Sequence, residues 1–147
     1  MNRSCVPYAL AKCLGLPVDE AAALVTDRTS RLTRIWRSTW IAAVREHMTV
    51  VAEISNPHMS LGKFATVKAK QRDPHTWIIS IGGRHGHCVV LRGGIVYENG
   101  DPRERVTHAE HHADRRGRID YAIAVTNWSD ADPYRETVNC DTLAESA

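Results

Sequence analysis

The most informative feature of the sequence is residues 86–98, which read GHCVVLRGGIVYE. Two apolar and β-branched runs, residues 87–91 and 95–98, flank the dipeptide Gly93-Gly94. Paired glycines at this point favour a tight hairpin turn, because the central residues of such turns need positive φ angles. A further apolar run precedes them at residues 76–81. The chain is therefore predicted to form an antiparallel sheet from residue 76 onward.

The residues before this sheet have the spacing of helices. After Ser4, apolar residues recur at intervals of three and four as far as Leu14, which predicts a helix that ends at Gly15. Ser4 is the predicted N-cap, so Cys5 becomes the first helical residue. Three further helices are predicted, over residues 17–25, from Ser38 or Thr39 to residue 48, and from Ser60 to residue 67. Residues 49–54 and 121–125 are predicted to be additional strands.

Two stretches lack regular periodicity and are predicted to be irregular. Residues 101–118 are rich in Arg, His and Asp, and residues 129–147 contain Asp, Pro, Asn and Ser. A length of 147 residues is typical of one domain. We predict a single α+β domain over residues 1–128, in which an N-terminal helical subdomain packs on a small antiparallel β-sheet. Residues 129–147 are a predicted C-terminal tail and a candidate for mobility.

Composition disfavours several classes of protein. Apolar residues make up 43% of the chain and charged residues 24%, as in ordinary globular domains. The net charge of +2 is far from the dense positive field that phosphate binding needs, so nucleic acid is not an expected partner. No apolar run approaches the roughly 20 residues that cross a bilayer, and Lys12 cuts the N-terminal apolar stretch too short for a secretory signal. We expect a cytoplasmic protein without a membrane partner and with reduced cysteines.

A cysteine that opens a helix and a histidine that begins a late strand form the layout of a thiol hydrolase. Unpaired N–H groups and the helix dipole stabilise a thiolate at Cys5. His87 can accept the thiol proton and later return it to a leaving group. Cys5 and His87 are therefore the predicted nucleophile and base.

The residue that orients His87 depends on the register of the hairpin. With a two-residue turn at Gly93-Gly94, Glu98 lies on the face of His87 and Asn99 points away. With a three-residue turn, Asn99 lies opposite His87 and Asp101 becomes its diagonal neighbour. The sequence leaves these alternatives open.

Two blocks of sequence resemble papain-like cysteine peptidases, in particular the small C39-like and phage- or prophage-encoded members. Residues 4–11, SCVPYALA, followed by Gly15-Leu16-Pro17, resemble their nucleophile helix. Residues 60–64, 77–79, 86–90 and 94–97 resemble the segment that carries their catalytic histidine. The resemblance covers a little over half of the chain. It implies a papain-like fold and a cysteine peptidase, isopeptidase or amidase acting on a protein or peptide.

The resemblance also implies particular site residues. The Asp-Pro that orients the histidine in C39-like proteins corresponds to Asp101-Pro102, and the Asn of papain corresponds to Asn99. Papain-like enzymes place a Gln before the nucleophile to build the oxyanion hole. The amide available here is Asn2, with the backbone N–H of Cys5 as the other donor. No cofactor is implied.

Plain structural interpretations compete with these assignments. Cys5 could be a small buried apolar residue, and His85 is a rival to His87. A group of His and acidic residues lacks zinc-ligand spacing and is predicted to lie on the surface, so no metal is expected: His108, Glu110, His111, His112 and Asp114. The arginine-rich segments are predicted to be solvated. The alternative function is a catalytically inactive papain-like binding protein, for example a phage factor that inhibits a host protein.

Overall fold

The computed structural model describes residues 5–26, 35, 37–82, 86–100 and 103–136. These residues form four α-helices, one short 3-10 helix and one six-stranded antiparallel sheet. The predicted α+β class is confirmed. No helix in these ranges is both long enough and apolar enough to cross a membrane.

The helices and strands follow the predicted order closely. The α-helices are α1 (Cys5–Leu14), α2 (Val18–Thr26), α3 (Arg37–His47) and α4 (Leu61–Lys70). The strands are β1 (Val50–Ser55), β2 (Thr76–Ile81), β3 (His87–Arg92), β4 (Ile95–Asn99), β5 (Glu104–His108) and β6 (Ile119–Val125). Their order across the sheet is β1-β6-β2-β3-β4-β5.

Helices cover both faces of the sheet. On β2 and β3, Ile78, Cys88 and Val90 belong to the core formed with α1, α2 and α3. The alternating residues Ile79 and Leu91 belong to a second core with α4. Because successive side chains of a strand point to opposite faces, α4 lies on the side of the sheet away from α1.

Helix α1 is buried on all sides, although its sequence predicts one apolar face. Every residue from Cys5 to Cys13 is buried, because the helix contacts α2, α3, β3 and β4. Even Lys12 is buried, and its Nζ lies 2.8 Å from Glu104 Oε1 and 5.0 Å from the centre of the Trp128 ring. A buried charge needs such a partner. The ion pair ties α1 to β5.

The predicted helix ends are correct in some places and wrong in others. Gly15 has a φ of 70°, which is the left-handed conformation that ends α1. Ser60 caps α4, since its hydroxyl accepts a hydrogen bond from the Lys63 N–H at 3.2 Å. Ser38 and Thr39 lie inside α3, so the prediction that either caps this helix is wrong. Ser4, the predicted cap of α1, lies outside the described residues.

The prediction that residues 101–118 are irregular is wrong for residues 104–111 and correct for the turns over 112–117, while residues 101 and 102 lie outside the described ranges. Strand β5 pairs with β4 from Asn99↔Glu104 to Ile95↔His108, and the 3-10 helix η1 (Ala109–His111) follows it. Strand β5 lies at the end of the strand order, where charged side chains discourage pairing with other chains. Because of these charged residues, β5 lacks the alternation of apolar and polar side chains from which a strand is predicted.

The described part of the C-terminal segment lies against the α1–α2 connection. The Val18 N–H donates to the Pro133 carbonyl at 2.7 Å, and Arg135 donates to the Gly15 carbonyl at 2.5 Å. The Tyr134 ring stacks on the ring of Tyr8 with 6.1 Å between their centres. Residues 137–147 lie outside the described ranges.

Candidate active site

The β3–β4 hairpin has a two-residue turn, and this turn determines which residue lies on the face of His87. The pairs run from Val90↔Tyr97 to Arg92↔Ile95, which leaves Gly93 and Gly94 as the turn, with φ angles of 59° and 78°. Continued toward the start of β3, this register places Glu98 on the face of His87. The two-residue alternative of the sequence analysis is therefore the one observed.

Glu98 contacts His87 directly. His87 Nε2 lies 3.0 Å from Glu98 Oε2, a hydrogen bond in which the ring N–H donates to the carboxylate. This bond uses Nε2, which leaves Nδ1 as the ring nitrogen available to another partner. Arg105 also donates to Glu98, to Oε1 at 3.3 Å. Glu98 itself is buried.

Cys5 opens α1 and meets the start of β3. Its sulfur forms hydrogen bonds with the His87 ring and with both the thiol and the backbone N–H of Cys88. The Cys5 residue has 0% of its surface exposed, whereas 28% of the His87 side chain is exposed. The structure thus brings together the two residues that the sequence predicts as nucleophile and base, from positions more than eighty residues apart.

The surroundings of Cys5 stabilise its thiolate. The hydrogen bond from the Cys88 thiol has the largest effect on the pKa of Cys5, which it lowers. Burial raises this pKa, and the hydrogen bond with His87 lowers it further. Together they lower the pKa of Cys5 to about 5. The pKa of Cys88 is raised well above its ordinary value, because its proton is held by Cys5 and its thiol is buried.

His87 is stabilised in its protonated form. Its hydrogen bonds, first with Cys5 and then with Glu98, outweigh burial and raise its pKa to about 10. Between about pH 5 and pH 10 the pair is therefore a thiolate and an imidazolium. This is the charge state in which a cysteine is a strong nucleophile and its neighbour can donate a proton.

Glu98 remains ionised at the centre of this network. Burial alone would raise its pKa, but hydrogen bonds from His112 and His87 prevail and lower the pKa of Glu98 to about 2. A charged carboxylate in contact with His87 favours the imidazolium.

Of the other residues predicted to orient His87 or to stabilise an oxyanion, Asn99 is described, and it does not share the face of His87. Asn99 lies on the opposite face of β4, where its side-chain oxygen accepts a hydrogen bond from the Tyr134 hydroxyl. The three-residue turn that would place it against His87 is not observed. Asp101, Asn2 and the rival histidine His85 lie outside the described residues.

His112 is the residue that sequence reasoning missed. Predicted to lie on the surface, it is 1% exposed, and its Nε2 lies 2.7 Å from Glu98 Oε2. The prediction was wrong for His112, because the acidic partner that allows its burial is Glu98 on β4, fourteen positions earlier in the chain. The sequence gives no local signal of that contact. His111, by contrast, has 72% of its side chain exposed.

Searches for metal sites and for related proteins give no further assignment. Within the described ranges, no group of three or more His, Cys, Asp or Glu residues is arranged to hold a metal ion. Comparison of the chain with protein-family models, with curated proteins and with solved structures finds no match.

Proposed function

We propose that this protein is a cysteine-nucleophile hydrolase with a papain-like arrangement, acting on an amide bond in a protein or peptide. Cys5 is the nucleophile, His87 the general acid and base, and Glu98 the residue that orients His87. The observation that carries the proposal is the continuous contact from the Cys5 sulfur through the His87 ring to the Glu98 carboxylate.

In the first half of the proposed reaction, the Cys5 thiolate attacks the substrate carbonyl carbon. A carbon–sulfur bond forms and the carbonyl electrons move onto oxygen, giving a tetrahedral intermediate. As the intermediate collapses, the carbon–nitrogen bond breaks and the His87 imidazolium donates its proton to the departing amine. The acyl group remains on Cys5 as a thioester.

Water completes the proposed reaction. The His87 ring, now neutral, removes a proton from water while the water oxygen attacks the thioester carbon. The carbon–sulfur bond then breaks, which releases a carboxylic acid and restores the thiolate–imidazolium pair. The backbone N–H of Cys5, at the start of α1, is the proposed donor to the oxyanion in both halves.

The proposal gives Glu98 the role that the resemblance assigned to Asp101 or Asn99. Glu98 has the required contact, because its Oε2 lies 3.0 Å from His87 Nε2. Among the described residues, Cys5, Cys13 and Cys88 form no disulfide, which fits a reducing compartment such as the cytoplasm of a bacterial or phage-infected cell.

One observation favours the second candidate, a catalytically inactive binding protein. Cys5 is completely buried, so a substrate carbonyl must approach along the side where the His87 ring is exposed. A papain-like scaffold without such an approach would retain the fold and bind a partner through its surface.

Turnover and alkylation together distinguish the two candidates. The full chain is incubated with pools of fluorogenic peptide, isopeptide and side-chain amide substrates. Iodoacetamide labelling at pH 6 is mapped by mass spectrometry in parallel. The hydrolase should release fluorophore and label fastest at Cys5, and Cys5→Ser and His87→Ala should abolish turnover while Cys13→Ser does not. Slow, equal labelling of all cysteines without turnover would support the binding protein.

A further inference from the structure

The Glu98 carboxylate lies between two imidazole rings. His87 Nε2 and His112 Nε2 both contact the same oxygen, Oε2, at 3.0 Å and 2.7 Å. The proposed hydrolase uses only the first of these rings. We propose that His112 is a positioning residue, which holds the Glu98 carboxylate against His87 and so sustains the thiolate on Cys5. This inference rests on the proposed function.

Backbone contacts fix the tautomer of His112. The Asp114 backbone N–H donates to His112 Nδ1 at 3.0 Å, so Nδ1 is the unprotonated nitrogen. The ring hydrogen is therefore on Nε2, where it donates to Glu98. A ring in the other tautomer would place a lone pair against the carboxylate, which would be repulsive.

The turn that follows η1 holds this ring in place. The His112 N–H donates to the Ala109 carbonyl at 3.3 Å, and the Arg115 N–H donates to the His112 carbonyl at 3.1 Å. The next bond of the turn joins the Gly117 N–H to the Asp114 carbonyl at 2.8 Å. Main-chain hydrogen bonds thus fix the backbone of His112, and the bond from the Asp114 N–H orients its ring.

The third partner of Glu98 is a poor substitute for His112. Arg105 contacts the other oxygen, Oε1, at a longer 3.3 Å, and 63% of its side chain is exposed to solvent. Solvent weakens such an interaction. Without His112, the buried carboxylate would keep one short hydrogen bond, from His87, and burial would favour its protonation. A neutral Glu98 no longer stabilises the His87 imidazolium, and the Cys5 thiolate loses its counterion.

Two substitutions separate positioning from packing. His112→Gln can retain an amide donor toward Glu98 and a carbonyl acceptor toward the Asp114 N–H. His112→Phe fills the same space without either group. His111→Phe is the matched control, because His111 precedes His112 and has 72% of its side chain exposed.

The experiment measures two properties in the full-length chain. The rate of iodoacetamide labelling at Cys5 is followed as a function of pH, and the His87 ring is titrated by NMR. We expect His112→Phe to shift the acid limb of the Cys5 profile upward by about one pH unit, which is roughly fivefold slower labelling at pH 5 because the parent pKa is about 5. The pKa of His87 should fall in the same variant. His112→Gln should stay within about twofold of the parent rate, and His111→Phe should match the parent.

The outcomes separate failure of this inference from failure of the proposed function. If folded His112→Phe keeps the parent's pH profile of Cys5 labelling and its His87 titration, then His112 only fills space and the inference is wrong. An inert Cys5 in the parent would defeat the hydrolase, yet the NMR titration would still report whether His112 acts on His87. If His112→Phe does not fold, NMR of the parent with nitrogen-15-labelled histidine determines which ring nitrogen of His112 carries the hydrogen. A hydrogen on Nε2 supports the inference, and a hydrogen on Nδ1 overturns it.

Discussion

The thiol of Cys88 donates a hydrogen bond to the sulfur of Cys5, and the backbone N–H of Cys88 donates to the same sulfur. Because His87 precedes Cys88 on β3, a single dipeptide brings an imidazole, a thiol and an amide to Cys5. Charge on the sulfur is therefore stabilised from β3 as well as from the start of α1. A second buried cysteine thus acts as a donor while the first is the anion.

Removal of the Cys88 thiol should destabilise the thiolate on Cys5, the proposed nucleophile. In Cys88→Ala the pKa of Cys5 should rise, because its largest stabilising hydrogen bond is lost, and labelling by iodoacetamide at pH 6 should slow by roughly tenfold. Cys88→Ser keeps a donor and should lose less. Cys13→Ala is the control variant and should leave the labelling of Cys5 unchanged. Burial raises the pKa of Cys13 to about 12, so Cys13 should label slowly wherever it is present. Unchanged labelling of Cys88→Ala would contradict this role.

The Cys5–His87 pair should give the folded protein a characteristic dependence on pH. Cys5 has its pKa lowered from 9.0 to about 5, so its contribution is full above pH 9 and is lost as the pH falls through 5. His87 has its pKa raised from 6.5 to about 10, so its contribution is full below pH 6.5 and is lost as the pH rises through 10. Together they stabilise the fold most between pH 6.5 and pH 9.

Urea unfolding measures this effect. The free energy of unfolding is compared between the parent and Cys5→Ala at pH 4, 7.5 and 11, and the difference should be greatest at pH 7.5. The lost side-chain volume contributes equally at each pH, so it does not alter the trend. A difference that is constant across the three values would show that the two side chains are not a charged pair.

Replacement of Glu98 should lower the stability of the fold and the pKa of His87, the proposed base. Glu98→Gln removes the charge that His87 and His112 share, at a cost of about 1.5–3 kcal/mol for a charge-assisted hydrogen bond. The pKa of His87 should fall toward its ordinary value, which NMR titration of the ring can follow. Glu110→Gln is the matched control and should alter neither property, because 78% of the Glu110 side chain on the 3-10 helix is exposed. An unchanged His87 titration in Glu98→Gln would remove Glu98 from the site.

The buried ion pair between Lys12 and Glu104 should contribute far more to the free energy of unfolding than a comparable surface pair. Glu104→Ala leaves Lys12 buried without its carboxylate and removes the acceptor of the Tyr8 hydroxyl, 2.6 Å away. We expect destabilisation of about 3 kcal/mol, the lower end of the usual range because 22% of the Glu104 side chain is exposed. Glu53→Ala, which breaks the exposed bidentate pair with Arg45, should change the midpoint of urea unfolding little. Equal effects of the two substitutions would contradict this ranking.

The sequence predicts most of the fold because its strongest signals are local. The glycine pair predicts the hairpin, and the spacing around Cys5 and Ser60 predicts where α1 and α4 begin. Strand β5 is not predicted, because its charged residues mask the alternation of apolar and polar side chains that is typical of a strand. It is recognised only from its pairing with β4. The burial of His112 likewise depends on Glu98, fourteen positions earlier in the chain. Tertiary contacts of this kind leave no periodic signature.

The length of one surface turn selects the chemical type of the group beside His87. Gly93 and Gly94 follow β3, and Gly93 lies about 20 Å along the strand direction from His87. A turn that took three of the existing residues out of the pairing, in place of Gly93 and Gly94 alone, would move Glu98 off the ring's side of the sheet and bring Asn99 onto it. The protein would exchange an anionic partner for a neutral amide without a single substitution near the sulfur.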